Sequence, residues 1–76
     1  MSFEKVKEII IDTISCDEEK ITIDANLHDD LGIDSLDAME LSMALEEEYG
    51  MTIEEDDLKT FVTVKNIVDY IDKVTA

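Results

Sequence analysis

Two segments of this chain space their apolar residues three and four positions apart, as in an α-helix with one buried face. These residues are Phe3, Val6, Ile9, Ile10 and Ile14 near the N-terminus, and Val64, Ile67, Val68, Ile71 and Val74 near the C-terminus. We expect the first helix to follow an N-capping Ser2 and to run to about Ser15, and the last to follow a capping Thr63. Because the 76 residues include no proline and no glycine-rich linker, we expect them to form one small domain.

The middle of the chain loses this spacing and then regains it. Residues 17–34 are predicted to form a long loop, which is held to the core by Ile21, Ile23, Leu27, Leu31 and Ile33. A second helix is predicted from residue 34 or 35 to Tyr49, because Gly50 supplies the usual stop after a last turn. A short acidic turn follows at residues 56–61. The predicted fold is therefore all-α, a four-helix bundle with three main helices, a short third helix and a long loop between helices one and two.

Charge is concentrated in the same middle segment. The chain has 21 acidic residues against six lysines and a net charge of −15. Residues 17–57 hold sixteen of those acids and a single lysine, Lys20. Nucleic acids and anionic membranes are bound through Lys and Arg, so both are excluded as direct partners. We expect the charge to steer the chain toward basic surfaces on other proteins.

The predicted second helix has two apolar sides. At about 100° per residue, one side is a core stripe, formed by Ala38, Leu41, Leu45 and Tyr49. The other side carries Leu36 and Met43 interleaved with Glu40 and Glu47, with Met39 at its edge. Exposed apolar groups framed by acids are typical of a docking face, although single exposed Leu and Met residues also occur without a function.

Ser35 brings a hydroxyl to the start of this helix. Asp34 can cap the helix while Asp37 reaches back to it, so spacing alone makes Ser35 a helix-start residue. A catalytic serine needs a base and an oxyanion hole. The one histidine, His28, lies in the predicted loop, and the glycine-flanked elbow of many hydrolases is missing. We therefore expect no catalysis by the chain itself. Cys16, the single cysteine, is expected to be a part-buried thiol without a disulfide.

The run GIDSLDAMEL over residues 32–41, continued by MALEEEY over residues 43–49, closely resembles the phosphopantetheine site and following helix of acyl carrier proteins. The match in length, acidity and helix order covers essentially the whole chain, which makes residues 1–76 one acyl carrier domain. The resemblance implies that a phosphopantetheinyl transferase moves 4′-phosphopantetheine from coenzyme A onto Ser35. Asp34 would help to position a metal ion during that transfer, and the metal itself would belong mostly to the transferase.

The resemblance also assigns two surfaces. Residues that would meet basic grooves on fatty-acid synthesis enzymes and acyltransferases are Leu36, Asp37, Glu40, Met43, Glu47 and Asp56. An acyl chain would enter the bundle between the second and third helices, near Leu41, Leu45, Ile53 and Phe61. Two features depart from many fatty-acid carriers. Ser42 stands where an apolar residue is expected, and the stretch over residues 16–20 is unusually short for the family.

Several alternatives stay open at this point. A calcium loop starting at Asp24 fails, because Asp29 replaces its glycine and Ser35 its final glutamate; weaker divalent binding by the clustered carboxylates remains possible. A non-carrier acidic interaction protein is the alternative from a different class. Among carriers, a polyketide or other thiotemplate pathway competes with fatty-acid synthesis. The strongly acidic helix and the small free-standing chain favour fatty-acid synthesis, by a monomer in the cytoplasm.

Overall fold

A computed structural model describes residues 3–14 and 16–75 of the chain. Over these residues the α-helices are α1 (Phe3–Thr13), α2 (Ser35–Tyr49), α3 (Glu55–Leu58) and α4 (Val64–Thr75), and a 3-10 turn at Glu18–Lys20 interrupts the long loop. The predicted all-α fold, with three main helices and a short third one, is confirmed. The expected Ser2 cap and the helix end near Ser15 fall on residues outside the described ones, and α1 itself ends at Thr13.

The two apolar stripes of the sequence meet in the core. Helix α1 packs against both α2 and α4, and the fully or almost fully buried apolar side chains of the three helices are Val6, Ile9, Ile10, Leu41, Leu45, Val64, Ile67, Val68 and Ile71. Burying one such side chain contributes about 1.5–3 kcal/mol, so these contacts supply the main stabilisation of the helices. Val74, the last residue of the predicted stripe, lies in the last turn of α4 and is 45% exposed, so the buried part of the stripe ends at Ile71.

The long loop is anchored to the bundle, as predicted. Its residues Ile21, Leu27, Leu31 and Ile33 are buried, and Ile23 is partly buried. Backbone hydrogen bonds tie the loop to the start of α4, among them Leu27 N–H to Val62 O at 2.9 Å and Val64 N–H to Ala25 O at 3.0 Å. The Asn26 Oδ1 atom accepts the N–H groups of His28 and Asp29 at 3.0 and 2.8 Å. This side chain therefore stabilises a turn of the loop.

The connection from α2 to α4 begins and ends at the predicted capping residues, Gly50 and Thr63. Gly50 has φ +61°, a left-handed conformation that glycine adopts without strain, and its N–H donates to Glu46 O. At the other end, the Thr63 hydroxyl oxygen accepts the N–H of Asn66 at 3.3 Å. The Asn66 carboxamide returns two bonds, because its Oδ1 accepts the N–H groups of Val62 and Thr63, both at 2.9 Å. The start of α4 is thus fixed by side chains on both sides of it.

Tyr49 yields a prediction about stability. Its hydroxyl is buried at the end of α2 and makes no hydrogen bond with the part of the chain that the structure describes. A buried hydroxyl without a partner is unfavourable because it has lost its hydrogen bonds to water. We expect Tyr49→Phe to raise the free energy of unfolding by about 1 kcal/mol, measured by urea denaturation. Tyr70→Phe is the control, because it removes a hydroxyl that donates to Asp57 at 3.2 Å; a loss of stability in Tyr49→Phe would contradict the prediction.

Candidate functional site

The start of α2 is held by two aspartates. The Asp34 Oδ1 atom accepts the N–H of Asp37 at 2.9 Å, and the Asp37 Oδ2 atom accepts the N–H of Asp34 at 3.4 Å. This is the capping box expected from the sequence, with a carboxylate at both positions. Asp37 is partly buried and engaged in this cap. The second oxygen of Asp34 makes no hydrogen bond to another described residue, so it remains open to a ligand.

Ser35 is the first residue of α2. Its side chain is exposed, and its hydroxyl forms no hydrogen bond with the described residues. The cap is therefore made by its two neighbours, and the Ser35 oxygen is accessible to another molecule. The free N–H groups of a helix N-terminus favour an anion at this end. His28, the one histidine of the sequence, is exposed and forms no hydrogen bond with Ser35 within the described residues; its Nδ1 is 3.3 Å from Asp29 Oδ1.

The outer side of α2 is apolar and acidic, as predicted. Leu36 is 72% exposed, and Met39 and Met43 are more than half exposed. Glu40 and Glu47 are exposed between them, and neither forms an ion pair within the described residues. Leu36, Glu40, Met43 and Glu47 thus share one accessible surface, which we call the α2 outer face. Asp56 is exposed in α3, on a separate helix.

A cavity of about 210 Å³ lies on the inner side of α2. It is lined by Asn26, Leu27, His28, Ile33, Ala38, Leu41, Ser42, Leu45, Leu58, Phe61, Val62 and Ile67. Three of the four residues predicted for an acyl pocket, Leu41, Leu45 and Phe61, therefore meet at one cavity. Ile53 is not among the lining residues. It is buried, and its N–H donates to Glu46 Oε2 at 2.7 Å, which keeps it on the connection between α2 and α3.

Helix α3 forms one wall of this cavity through Leu58. It is held to α4 by the Tyr70 hydroxyl, which donates to Asp57 Oδ2 at 3.2 Å, and the ring centres of Phe61 and Tyr70 are 5.4 Å apart. Burial raises the pKa of the Tyr70 phenol, and the neighbouring Asp57 carboxylate raises it further. The phenol thus stays protonated and keeps its donor role at neutral pH.

Several lining residues were not singled out as site residues from the sequence. Leu58, Val62 and Ile67 come from α3, the following connection and α4. Val62 has a signal in the sequence, since it is an apolar residue just before the predicted helix cap, Thr63. Asn26 and His28 belong to the loop and carry no such signal. In the sequence, Ser42 stands out only through the resemblance, as a polar residue where many fatty-acid carriers have an apolar one.

The described residues offer neither a second reactive nucleophile nor a metal site beside Ser35. Burial raises the pKa of the Cys16 thiol, and Asp17 beside it acts in the same direction, so this thiol is mostly protonated and a poor nucleophile at neutral pH. Within residues 3–14 and 16–75, no group of three or more His, Cys, Asp and Glu side chains is arranged to hold a metal ion. None of the helices in those ranges is long and apolar enough to span a membrane.

Comparisons with known proteins agree with this geometry. The family model described as "Phosphopantetheine attachment site" matches residues 4–71. The chain is 52% identical over 69 residues to an acyl carrier protein of Petrotoga mobilis, covering 91% of this chain and 81% of that protein. It is 51% identical over 73 residues to an acyl carrier protein of Clostridium perfringens strain SM101, covering 96% of each chain. The same values hold for the protein of strain ATCC 13124 of that species.

Proposed function

This chain belongs to the acyl carrier protein family, and we propose that it carries fatty-acid intermediates as thioesters on a 4′-phosphopantetheine arm attached to Ser35. Proteins of this family are non-catalytic carriers, and 4′-phosphopantetheine is their cofactor. One observation carries the assignment of the attachment point. The Ser35 hydroxyl is exposed and makes no hydrogen bond with the described residues; it lies at the first residue of a capped helix, inside the segment that the phosphopantetheine family model matches.

Attachment requires a phosphopantetheinyl transferase. The bond between the Ser35 oxygen and phosphorus forms, the phosphoanhydride bond of coenzyme A breaks, the adenosine bisphosphate half leaves, and the Ser35 proton passes to a base of the transferase. The residues at the start of α2 suit this reaction. The helix N-terminus favours the new phosphodiester anion, and the free oxygen of Asp34 is available to a metal ion that the transferase brings.

The arm supplies a thiol, which the protein's own side chains do not replace. An acyl group on the Ser35 oxygen would be an ester with a poor leaving group, whereas a thiol of pKa near 8.5 leaves more readily and activates the acyl group. Cys16 is part-buried, and burial raises its pKa. A fixed thiol of this kind cannot visit the active sites of several enzymes.

Partners are proposed to bind the α2 outer face. Its glutamates would attract basic grooves on the transferase, on fatty-acid synthesis enzymes and on acyltransferases, while Leu36 and Met43 would supply apolar anchors. Asp37 and Asp56 are proposed to extend this contact. Asp37 is less available to a partner than the glutamates, because its carboxylate also accepts the Asp34 N–H in the helix cap.

The cavity behind α2 is the proposed place of the acyl chain between enzyme visits. Leu41, Leu45 and Phe61 line it, and a cavity of about 210 Å³ exceeds the roughly 150 Å³ at which an apolar cavity accepts a benzene-sized molecule. Ile53 has no part in this lining and is proposed to support the pocket only from the core. The full proposal is one carrier domain over residues 1–76 that acts as a monomer in the cytoplasm.

The pathway is tested by the acyl groups that the protein bears in its own cells. We expect mass spectrometry of the isolated protein to detect a ladder of saturated chains that differ by two carbons, because fatty-acid elongation passes through such intermediates. The same protein with Ser35→Ala is the control and should bear none of them. Unreduced polyketone chains on Ser35 would assign the carrier to a polyketide pathway instead.

A further inference from the structure

Ser42 gives the cavity an unusual polar group. Among the residues that the structure describes, it is the only polar or charged one that is almost fully buried, at 8% exposure. It lines the cavity between Leu41 and Leu45 on α2. Its hydroxyl donates to Met39 O, one turn earlier in the same helix, at 2.8 Å. The proton of the hydroxyl is therefore already used inside the helix.

The Ser42 oxygen still has capacity to accept a hydrogen bond. A hydroxyl has one proton and two acceptor positions, and no described residue donates to this oxygen. The other polar residues of the lining are in different situations. The Asn26 Oδ1 atom accepts two backbone N–H groups, and the His28 side chain is 81% exposed. Ser42 is thus the buried acceptor of the cavity that a ligand could satisfy.

This acceptor distinguishes between kinds of acyl chain. A saturated chain that fills the cavity excludes water and leaves the Ser42 oxygen unpaired, which is unfavourable. A chain that carries a hydroxyl donates to the same oxygen and removes this disadvantage. A chain with a keto group gains less, since it brings only an acceptor and the Ser42 proton would have to leave Met39 O.

We propose that Ser42 makes this cavity prefer hydroxyacyl chains over saturated chains of equal length. The inference rests on the proposed function, because the chain must first be attached to Ser35. The cavity volume sets the length to be tested. At about 210 Å³ it has room for roughly eight carbons, in proportion to the about 150 Å³ that accepts the six carbons of benzene. Six-carbon chains therefore fit inside it and are the appropriate probes.

The experiment loads the carrier with hexanoyl, 3-hydroxyhexanoyl or 5-hydroxyhexanoyl groups from the corresponding coenzyme A thioesters. Hydroxylamine then cleaves each thioester. The protection factor is the cleavage rate of the same acyl group on free pantetheine divided by its cleavage rate on the carrier. This protection factor corrects for the intrinsic reactivity of each thioester. We expect at least one hydroxyhexanoyl group to be protected about fivefold better than hexanoyl, as one neutral hydrogen bond predicts.

Three variants separate the hydroxyl from its surroundings. Ser42→Ala should bring the preference to about one, and Ser42→Thr, which keeps the hydroxyl, should retain a preference above one. Ala44→Ser is the matched control, because it exchanges the same two residue types in the opposite direction and adds one hydroxyl at a half-buried position of α2 outside the cavity lining. Its preference should equal that of the wild type. Circular dichroism checks that each variant is folded.

Two results would overturn the inference alone while the carrier function stands. One is normal loading with no better protection of either hydroxyhexanoyl group in the wild type. The other is a preference that survives in Ser42→Ala. If intact mass shows that the wild-type chain is not loaded at all, the proposed attachment fails first, and the inference fails with it.

Discussion

Ser35→Ala is expected to abolish completely the mass increase of one phosphopantetheine that the wild-type chain gains on co-expression with an active phosphopantetheinyl transferase. The reason is chemical, because alanine has no oxygen to form the phosphodiester. The fold should be unaffected. Ser35 is exposed, its hydroxyl makes no bond with the described residues, and the cap of α2 comes from Asp34 and Asp37. Alanine is also a good helix former, so the free energy of unfolding should change by less than about 0.5 kcal/mol.

Ser42→Ala is the matched control for this experiment. It removes a serine hydroxyl seven residues further along the same helix, where the side chain is buried, and it should gain the same mass as the wild type. Intact-protein mass spectrometry measures all three chains, and thermal melting checks their folding. A phosphopantetheine on the Ser35→Ala chain would place the attachment elsewhere. A wild-type chain that stays unmodified beside an active transferase would contradict the carrier proposal.

Reversing two charges on the α2 outer face should slow modification strongly. For Glu40→Lys with Glu47→Lys, we expect the second-order rate constant of phosphopantetheine transfer to fall at least tenfold at low salt. Steering between oppositely charged surfaces raises association rates by about 10–1000-fold, and these two glutamates are exposed and free of ion pairs within the described residues. The effect should shrink above about 0.5 M salt, where the screening length is only a few ångströms.

The control for this variant changes the net charge equally at another place. Glu4→Lys with Asp69→Lys reverses two exposed acids on α1 and α4, outside residues 17–57. We expect its rate to stay within about threefold of the wild type, since net charge contributes less than the charges at the contact. Equal losses in the two double variants would show that total charge decides the rate, and would contradict a docking role for the α2 outer face.

Much of the fold was predictable because it depends on neighbours along the chain. The apolar spacing of α1 and α4, the glycine after α2 and the Asp34–Asp37 cap involve residues a few positions apart. Helix ends were less predictable. The last turn of α4 contains Val74 in correct register for the core, yet it is 45% exposed. Periodicity assigns a residue to a face, but it does not tell how far the neighbouring elements cover that face.

The features of the site were likewise predictable only where they depend on residues close together in the sequence. The sequence by itself determined the position of Ser35 at a helix start and the apolar and acidic character of the α2 outer face, because a helix fixes both through its local geometry. Only the tertiary structure decided which residues line the cavity. A cavity is the space left where distant segments pack incompletely. Its walls therefore bring Asn26, Ser42 and Val62 together and leave out Ile53. The apolar periodicity of a single helix cannot predict this set of residues.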